Sequence, residues 1–278
     1  MIITKTPLRI GLVGGSTDIP EYSTYRIQRY VFTGCHADGS HIAVFSALQD
    51  HSIDFGVVPV ENSIEGAVNQ TYDFLFKTDF YIVKEYYLRV RHCLIGKPDS
   101  KLNDIKYAIS HPQALAQCSE FIYRHGLRTI SEYDTAGSVK IVRDGTDSSR
   151  AAIASELAAG IYGMKILARH IENNSSNYTR FFLMARSPVS PEGRAKISIV
   201  FSTENKAGSL YSILKVFNEY GINMTKIESR PVQYNPFNYI FFIDIERNNS
   251  SDAALSRIRD ITNPFKVLGV YEMASINE

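Results

Sequence analysis

The sequence predicts an α/β fold that continues into a C-terminal βαββαβ unit, and two observations support this. Short apolar strands alternate with amphipathic helices up to about residue 187. After a Pro/Ser/Gly-rich stretch at 187–193, the pattern restarts as strand, helix, strand, strand, helix, strand. That order is the ferredoxin-like unit, whereas the alternating part favours a sheet of largely parallel strands.

The elements of the first part follow from local patterns. Asn62 is predicted to cap a helix, with Glu65 returning the bond and an apolar face running on to Leu75. The other predicted elements are strands at 9–13, 54–60, 81–90, 107–109 and 129–133, helices at 42–48, 113–125 and 138–144, and a strand or helix start at 151–154.

The second part is predicted with equal detail. Its strands are expected at 196–202, 223–229, 239–246 and 265–271, and its helices at 208–220 and 252–261. Such small sheets expose edge strands that often pair in dimers.

Composition excludes several classes of function. The chain has 278 residues, 44% of them hydrophobic and 21% charged, with a net charge of +1, which fits a soluble globular protein. It has no Lys/Arg run typical of nucleic-acid binding and no apolar run near the roughly 20 residues of a membrane span, so a cytoplasmic location is expected. Cys35, Cys93 and Cys118 form no CxxC pair, so we expect buried apolar residues and neither a disulfide framework nor a metal site.

The hexapeptide 177–182 concentrates the groups that chemistry on a small anion needs. Thr179 supplies a hydroxyl that can move a proton, and Arg180 a planar guanidinium that can hold a carboxylate. Aromatic rings, including Phe181, flank both.

Four motifs together resemble those of prephenate dehydratases. These are GVVPVENSIEG at 56–66, SHPQALAQC at 110–118, Asn-x-Thr-Arg-Phe at 177–181, and a C-terminal unit similar to the family's ACT regulatory domain, with AGSL at 207–210 and IESRP at 227–231. The resemblance covers roughly residues 40–250 in the same order and spacing.

The resemblance implies a reaction in which prephenate loses water and carbon dioxide to give phenylpyruvate, a step toward phenylalanine. Because aromatisation drives the reaction, no metal or other cofactor is implied. The family assigns the proton donor to the threonine that is Thr179 here. The substrate contacts it implies are Arg180, Phe181, Glu61, Asn62, Ser63 and Thr135, the Asn62 region acting with the first amides of the following helix.

Plainer interpretations of these residues stay open. Arg180 could be a surface ion-pair residue, Asn62 and Ser63 could only cap a helix, and Glu61 could hold its loop by accepting backbone bonds. His111 before Pro112 is interpreted as a turn residue and not as a base.

The family fold resembles a type II periplasmic binding protein, with two lobes and the site between them. This implies a catalytic domain at 1–187, with lobe one at about 1–78 plus 167–187 and lobe two at about 79–166. A linker at 188–194 and an ACT domain at 195–278 complete the chain. Closure of the cleft would exclude water.

The ACT resemblance also implies feedback by L-phenylalanine and assembly into a homodimer or homotetramer through that domain. The effector contacts it implies are Gly208, Ser209, Leu210, Asn223, Glu228 and Ser229. Glu228 is expected to pair with the effector's amino group. Alternatively, Glu228 and Arg230 form a mutual or interfacial ion pair.

The N-terminus departs from the family. Residues 14–20 lack the family's Gly-Pro-x-Gly-Thr-aromatic loop, and 2–22 instead resemble the start of GHMP-class sugar kinases, although no ATP loop follows. Two alternatives to the dehydratase therefore stay open: a non-catalytic small-anion or amino-acid sensor on the same scaffold, and, more remotely, a kinase.

Overall fold

The structure is a computed structural model that describes residues 30–32, 41–231 and 239–276. The strand predicted at 9–13, the atypical 14–20 segment and Cys35 lie outside these ranges. The described chain forms two compact units, one made of Leu88–Thr179 and the other of His41–Tyr87 with the chain from Arg180 onward. Each is described by itself below.

The N-terminal elements are β1 (Tyr30–Phe32), α1 (His41–Gln49), β2 (Phe55–Asn62), β3 (Gly66–Ala67), α2 (Asn69–Lys77) and β4 (Tyr81–Arg89). The next are β5 (Cys93–Gly96), a 3-10 turn (Leu102–Asp104), β6 (Tyr107–Ser110), α3 (Pro112–Gln117), α4 (Ser119–Arg124), β7 (Arg128–Ser131), α5 (Gly137–Asp144), β8 (Arg150–Ala154), α6 (Glu156–Tyr162) and β9 (Lys165–Arg169). The last are β10 (Tyr178–Ala185), β11 (Ala195–Ser202), α7 (Ser209–Glu219), β12 (Met224–Pro231), β13 (Tyr239–Glu246), α8 (Ser251–Asp260) and β14 (Phe265–Glu272).

The first unit is a five-stranded sheet with helices on both faces. Its strand order is β7-β6-β8-β5-β9. Neighbouring residues of β8 show the two faces, since Ala152 packs with α5 and α6 while Ile153 packs with α3 and α4. In this sheet the expected parallel pairing is found among β7, β6 and β8, whereas β5 runs antiparallel to β8 and β9. The sequence patterns did not predict β5 or β9.

The helix predicted over 113–125 is interrupted at Cys118. Asn173 closes the gap, because its side-chain oxygen accepts from Glu120 N at 3.0 Å and its amide donates to Ala116 O and Ser119 Oγ. A side chain distant in sequence therefore satisfies the backbone groups that the break leaves open.

The second unit contains a sheet of nine described strands, in the order β1-β2-β10-β4-β14-β11-β13-β12 with β3 beside β2. Its C-terminal part has the predicted order βαββαβ, with α7 and α8 packed on the apolar side chains of β11. α1 and α2 pack around the β2, β4 and β10 side chains. β14 pairs with β4 in parallel, so the βαββαβ part continues the sheet of the preceding segment.

Asn62 does not begin a helix, and that prediction is wrong. β2 runs through Asn62 and folds back into β3, with Glu61 opposite Ala67 and Asn62 opposite Gly66. Gly66 has a φ of 85°, a backbone conformation that glycine adopts readily. The helix starts only at Asn69, one hairpin later than the capping pattern predicts.

The predicted lobes, linker and regulatory domain stay predictions. The chain passes between the two compact units at 87/88 and 179/180. Residues 186–194 form neither helix nor strand. Every helix in the described ranges is too short or too polar to cross a membrane.

Gly269 is required where β14 approaches β4. A Cβ added there would collide with the backbone carbonyl of Ile82, which cannot move without breaking the sheet. We expect Gly269→Ala to lower the free energy of unfolding by about 1–3 kcal/mol. Urea denaturation measures this. Gly160→Ala is the matched control, because no atom lies within 4 Å of its added Cβ and alanine favours the helix. Equal stability of the two variants would contradict this packing.

His92 is a buried titratable group in the first unit, and its Nε2 lies 2.9 Å from Gln117 Oε1. Burial lowers the pKa of His92 below its ordinary value of 6.5, although Gln117 opposes this. Below about pH 6.5 His92 therefore binds a proton in the unfolded chain, whereas in the folded chain it stays neutral. The free energy of unfolding therefore falls as pH falls.

We expect the urea midpoint to fall between pH 7 and pH 5, and His92→Gln to flatten part of that slope. The exposed His125 provides the control, since His125→Gln leaves the buried ring in place. An unchanged slope in His92→Gln would assign the acid sensitivity to other groups.

Candidate functional site

β10 carries the hexapeptide side chains on alternating faces. Arg180 and Phe182 share one face, as the 4.7 Å between the Arg180 Cζ and the Phe182 ring centre shows. Thr179 and Phe181 therefore lie on the other face. Thr179 is half-buried and Phe181 is buried.

The Arg180 guanidinium is held by the chain itself. Its Nε donates to Glu85 Oε2 at 2.8 Å, its Nη1 to Asp244 Oδ2 at 2.6 Å, and its Nη2 to Tyr271 Oη at 3.1 Å. The side chain of Arg180 is only 4% exposed and that of Glu85 is 0% exposed. The guanidinium that the resemblance assigns to a substrate carboxylate is thus bonded to two internal carboxylates. Arg180 therefore forms ion pairs, but in the interior and not on the surface as the alternative interpretation expected. Its role in substrate binding stays a prediction.

A second ring of contacts completes this cluster. Lys196 Nζ lies 2.9 Å from Glu85 Oε1, and the backbone N–H of Ala274 donates to the same oxygen at 3.1 Å. Ser198 donates to Asp244, so the Tyr271 hydroxyl is left to donate to Ser198 at 2.7 Å and to accept from Arg180. Two cations and two carboxylates therefore balance with their polar atoms bonded, as buried charges require.

The electrostatics of the cluster keep Arg180 charged and Tyr271 neutral. Burial opposes the charge on Arg180, but Asp244, Tyr271 and Glu85 outweigh it and hold the pKa of Arg180 above its ordinary value. Burial, reinforced by Asp244, raises the pKa of Tyr271, so its hydroxyl stays neutral. We call the set Arg180, Glu85, Asp244, Lys196, Ser198 and Tyr271 the Arg180 cluster.

Glu61 connects this cluster to β12. Its carboxylate lies 3.8 Å from Arg180 Nη1 and 2.9 Å from Lys226 Nζ. Lys226 is buried, and its Nζ also lies 3.9 Å from Glu228. Glu61 therefore forms ion pairs with two cations, whereas the structural interpretation expected its carboxylate to accept backbone bonds of the loop. A substrate contact of Glu61 stays a prediction.

Asn62 and Ser63 occupy the turn between β2 and β3. The Asn62 Oδ1 accepts from the backbone N–H of Ile64 at 2.9 Å and of Glu65 at 3.1 Å, while Ser63 is exposed. The predicted contribution of helix amides at this point is wrong, because α2 begins only at Asn69.

Thr135 lies in the first unit, in the turn from β7 to α5, and is buried. The carboxylate of the preceding Asp134 accepts from the backbone N–H groups of Ala136 and Gly137. The sequence-predicted strand-to-helix turn is therefore present, and Asp134 satisfies the N–H groups at the start of the helix.

The predicted effector residues lie on two segments of the second unit. Gly208, with a φ of 87°, directly precedes α7, where Ser209 and Leu210 form the first turn. Asn223 donates to Glu246 Oε1 at 3.2 Å just before β12, the strand that carries Glu228 and the exposed Ser229. The alternative pairing of Glu228 with Arg230 is replaced, since Arg230 pairs with Asp73 at 3.0 Å.

Other sequence predictions concern single residues. His111 caps α3, with its Nδ1 accepting from Gln113 N at 3.2 Å, which confirms a turn residue. Cys93 and Cys118 are buried as expected, and burial raises the pKa of both thiols. Within the described ranges, no three His, Cys, Asp or Glu side chains form a group that could hold a metal ion.

Sequence reasoning missed Glu85, Asp244, Lys196 and Tyr271. A signal existed for Asp244, which interrupts the apolar strand Tyr239–Glu246, because an isolated carboxylate in such a strand needs a buried partner. Nothing in the local pattern identifies that partner as Arg180.

Comparison with known families and proteins agrees with these features. The chain matches the family model described as prephenate dehydratase over residues 33–189 and that described as ACT domain over 197–263. It is 38% identical over 250 residues to "Arogenate dehydratase/prephenate dehydratase 1, chloroplastic" of Arabidopsis thaliana, covering 83% of this chain and 64% of that one. It is 33% identical to "Bifunctional chorismate mutase/prephenate dehydratase" of Escherichia coli (strain K12) over 263 residues, covering 92% of this chain and 67% of that one. The chain thus spans about two thirds of the length of these relatives.

Solved structures support the same grouping. The prephenate dehydratase of Arthrobacter aurescens in complex with L-Phe has a TM-score of 0.74 and 30% identity, covering 82% of this chain and 78% of that one. A structure titled "GqqA- a novel type of quorum quenching acylases" has a TM-score of 0.77 and 31% identity, covering 84% and 88%. The predicted fold class, a two-lobed periplasmic-binding-protein-like α/β domain followed by a ferredoxin-like unit, is confirmed. On the matched motifs, the βαββαβ order and these likenesses, the chain belongs to the prephenate dehydratase family and carries an ACT domain.

Proposed function

We propose that this chain is a prephenate dehydratase, which converts prephenate to phenylpyruvate with loss of water and carbon dioxide in L-phenylalanine biosynthesis. The family match over 33–189 carries this proposal, and it includes the Thr179 motif on β10. The ring hydroxyl departs as water and the ring carboxylate as carbon dioxide. Aromatisation of the ring supplies the driving force.

Thr179 is the proposed proton donor. A threonine hydroxyl is a weak acid in water, but it can donate a hydrogen bond to the leaving oxygen as negative charge develops there. Such positioned donors contribute about 10²–10⁴-fold to the rate. Because Arg180 faces the opposite side of β10, Thr179 can act without exposing the Arg180 cluster.

Substrate binding is proposed for Asn62, Ser63, Thr135 and Phe181. It is also proposed for Glu61, which directly precedes Asn62. Ser63 offers an exposed hydroxyl in the β2–β3 turn, and Phe181 offers its ring on the same face of β10 as Thr179. Arg180 is the substrate contact that the geometry supports least, because a substrate carboxylate would compete with Glu85 and Asp244 for its guanidinium.

The decisive experiment combines wild type with Thr179→Ala. Wild type is expected to form phenylpyruvate from prephenate, which is measured by the absorbance of phenylpyruvate in base. Thr179→Ala is expected to lower kcat about 10²-fold or more. The matched control is Thr129→Ala on the exposed face of β7, which should keep wild-type kcat. Wild type without turnover would leave the sensor alternative, and full activity of Thr179→Ala would remove it as the acid.

Two further substrates belong in the same assay. Relatives named arogenate dehydratases make arogenate a competing substrate, and comparing kcat/KM for the two identifies the preferred one. The likeness to the structure described as a quorum quenching acylase favours a second candidate function, an acylase activity on an acyl substrate. The release of acid from such a substrate is measured for wild type and for Thr179→Ala. Equal rates would show that residues other than Thr179 carry that activity.

Feedback by L-phenylalanine is proposed to act through the ACT domain. The complex of the Arthrobacter aurescens relative with L-Phe supports this. The contacts proposed for the effector are Gly208, Ser209, Leu210, Asn223, Glu228 and Ser229. Lys226 provides a physical connection, since it lies between Glu228 and Glu61. An effector amino group that captures Glu228 would change the charge that Lys226 shares with Glu61.

The chain is also proposed to be cytoplasmic and to form a homodimer or homotetramer through the ACT domain. β12 lies at the end of the described strand order, and its outward residues Thr225, Ile227 and Ser229 are exposed. An exposed edge of this kind is suited to pairing with a second copy.

We expect saturating phenylalanine to raise the apparent KM for prephenate, and Lys226→Met to reduce this effect while phenylalanine still binds. Steady-state kinetics with and without phenylalanine give the ratio of KM values, and calorimetry gives the phenylalanine Kd. The control is Lys106→Met, an exposed lysine of the first unit. Activity that does not respond to phenylalanine would refute feedback, and an unchanged ratio in Lys226→Met would refute its coupling role.

A further inference from the structure

The Arg180 cluster joins the segment that carries Thr179 to the C-terminal module. Arg180 and Glu85 belong to the range matched by the prephenate dehydratase model, whereas Asp244 belongs to the ACT range. The Arg180 Nη1 to Asp244 Oδ2 distance is 2.6 Å, and both side chains are buried. A carboxylate of the regulatory module is therefore a direct partner of the residue next to Thr179.

Asp244 is itself held rigidly. On the sheet it lies opposite Ser198 of β11, whose hydroxyl donates to its Oδ1. Tyr271 of β14 bonds both Ser198 and Arg180. Three strands of the module thus fix the carboxylate at one place, which is what a positioning group requires.

The strand geometry transmits this constraint to Thr179. Successive residues of β10 point to opposite faces, so a contact that fixes the Arg180 face also fixes the face on which the Thr179 hydroxyl lies. Glu85 holds the Nε side of the guanidinium and Asp244 holds Nη1. If Asp244 loses its charge, only one of the two carboxylates still fixes the strand at this point.

We propose that Asp244 of the ACT module is a positioning residue for the reaction, which holds Arg180 and thereby orients Thr179. This rests on the proposed dehydratase function. It assigns the module a part in basal catalysis, in addition to effector binding. In this proposal Arg180 supports the strand from inside the protein and does not bind the substrate. The loss of Asp244 is therefore expected to lower kcat and to leave KM nearly unchanged.

The test compares Asp244→Asn with Asp54→Asn. Asp54 pairs with Arg186 at 2.8 Å, just beyond the other end of β10, so its loss removes an Asp–Arg ion pair, here a partly exposed one, without touching the Arg180 cluster. We expect Asp244→Asn to lower kcat for prephenate about 10- to 100-fold with KM changed less than about twofold. Asp54→Asn should keep wild-type kcat at a temperature where both variants are folded.

A double-mutant cycle shows whether Asp244 acts through Arg180. Arg180→Gln leaves Asp244 without its cation, whereas Arg180→Gln with Asp244→Asn leaves Glu85 paired with Lys196 and keeps the charge balanced. If Asp244 acts through Arg180, adding Asp244→Asn to Arg180→Gln lowers kcat no further. Independent, multiplying losses would overturn the proposal. A raised KM at unchanged kcat in Asp244→Asn would also overturn it, because that result would identify Arg180 as a substrate ligand.

Hydrogen exchange gives a readout that needs no activity. The backbone N–H groups of Thr179 and Phe181 should exchange faster in Asp244→Asn than in wild type, and at the wild-type rate in Asp54→Asn. If wild type does not turn over prephenate, the proposed function fails and exchange alone decides the positioning role. Unchanged exchange in Asp244→Asn would then overturn it.

Discussion

The pairing of Arg180 with Glu85 and Asp244 is the interaction on which the second unit depends. Removing these charges from water costs several kcal/mol for each ion, and the attraction between them offsets this only when the geometry is good and the remaining polar atoms are bonded. Here Lys196 supplies the fourth charge, which balances the cluster, and the Tyr271 hydroxyl accepts from a further guanidinium N–H. Removing one of these residues leaves the charge of its partner buried and unpaired, so we expect each single substitution in the cluster to be destabilising.

This cluster changes how the C-terminal module relates to the segment before it. Residues 188–194 suggest a tether between independent domains, but β14 pairs directly with β4, and Gly269 allows their backbones to approach. Lys226 and Arg230 of β12 add ion pairs to Glu61 and Asp73. A module joined by a continuous sheet and by buried charges can transmit a change in its own strands to β10, which a flexible tether cannot do.

The β2–β3 turn changes the chemistry expected around Asn62. A helix starting there would have supplied a positive dipole end for an anion, but the first helical residue is Asn69. The Asn62 side chain instead accepts from two N–H groups of its own turn. The anion binding proposed for this region would therefore depend on side chains, among which Ser63 is exposed.

The sequence by itself determined the elements whose signals are local. The βαββαβ order and the strand Tyr239–Glu246 follow from periodicity, and the hexapeptide at 177–182 follows from its motif, because these depend on neighbouring residues. The tertiary structure alone decided the partners of Arg180, which lie 95, 64 and 91 positions away at Glu85, Asp244 and Tyr271. No local pattern encodes such distances, since only the packing of β4, β10, β13 and β14 into one sheet brings these side chains together. For the same reason the sequence motif predicts that Arg180 binds a substrate carboxylate, whereas in the folded chain Arg180 is bonded to the carboxylates of Glu85 and Asp244.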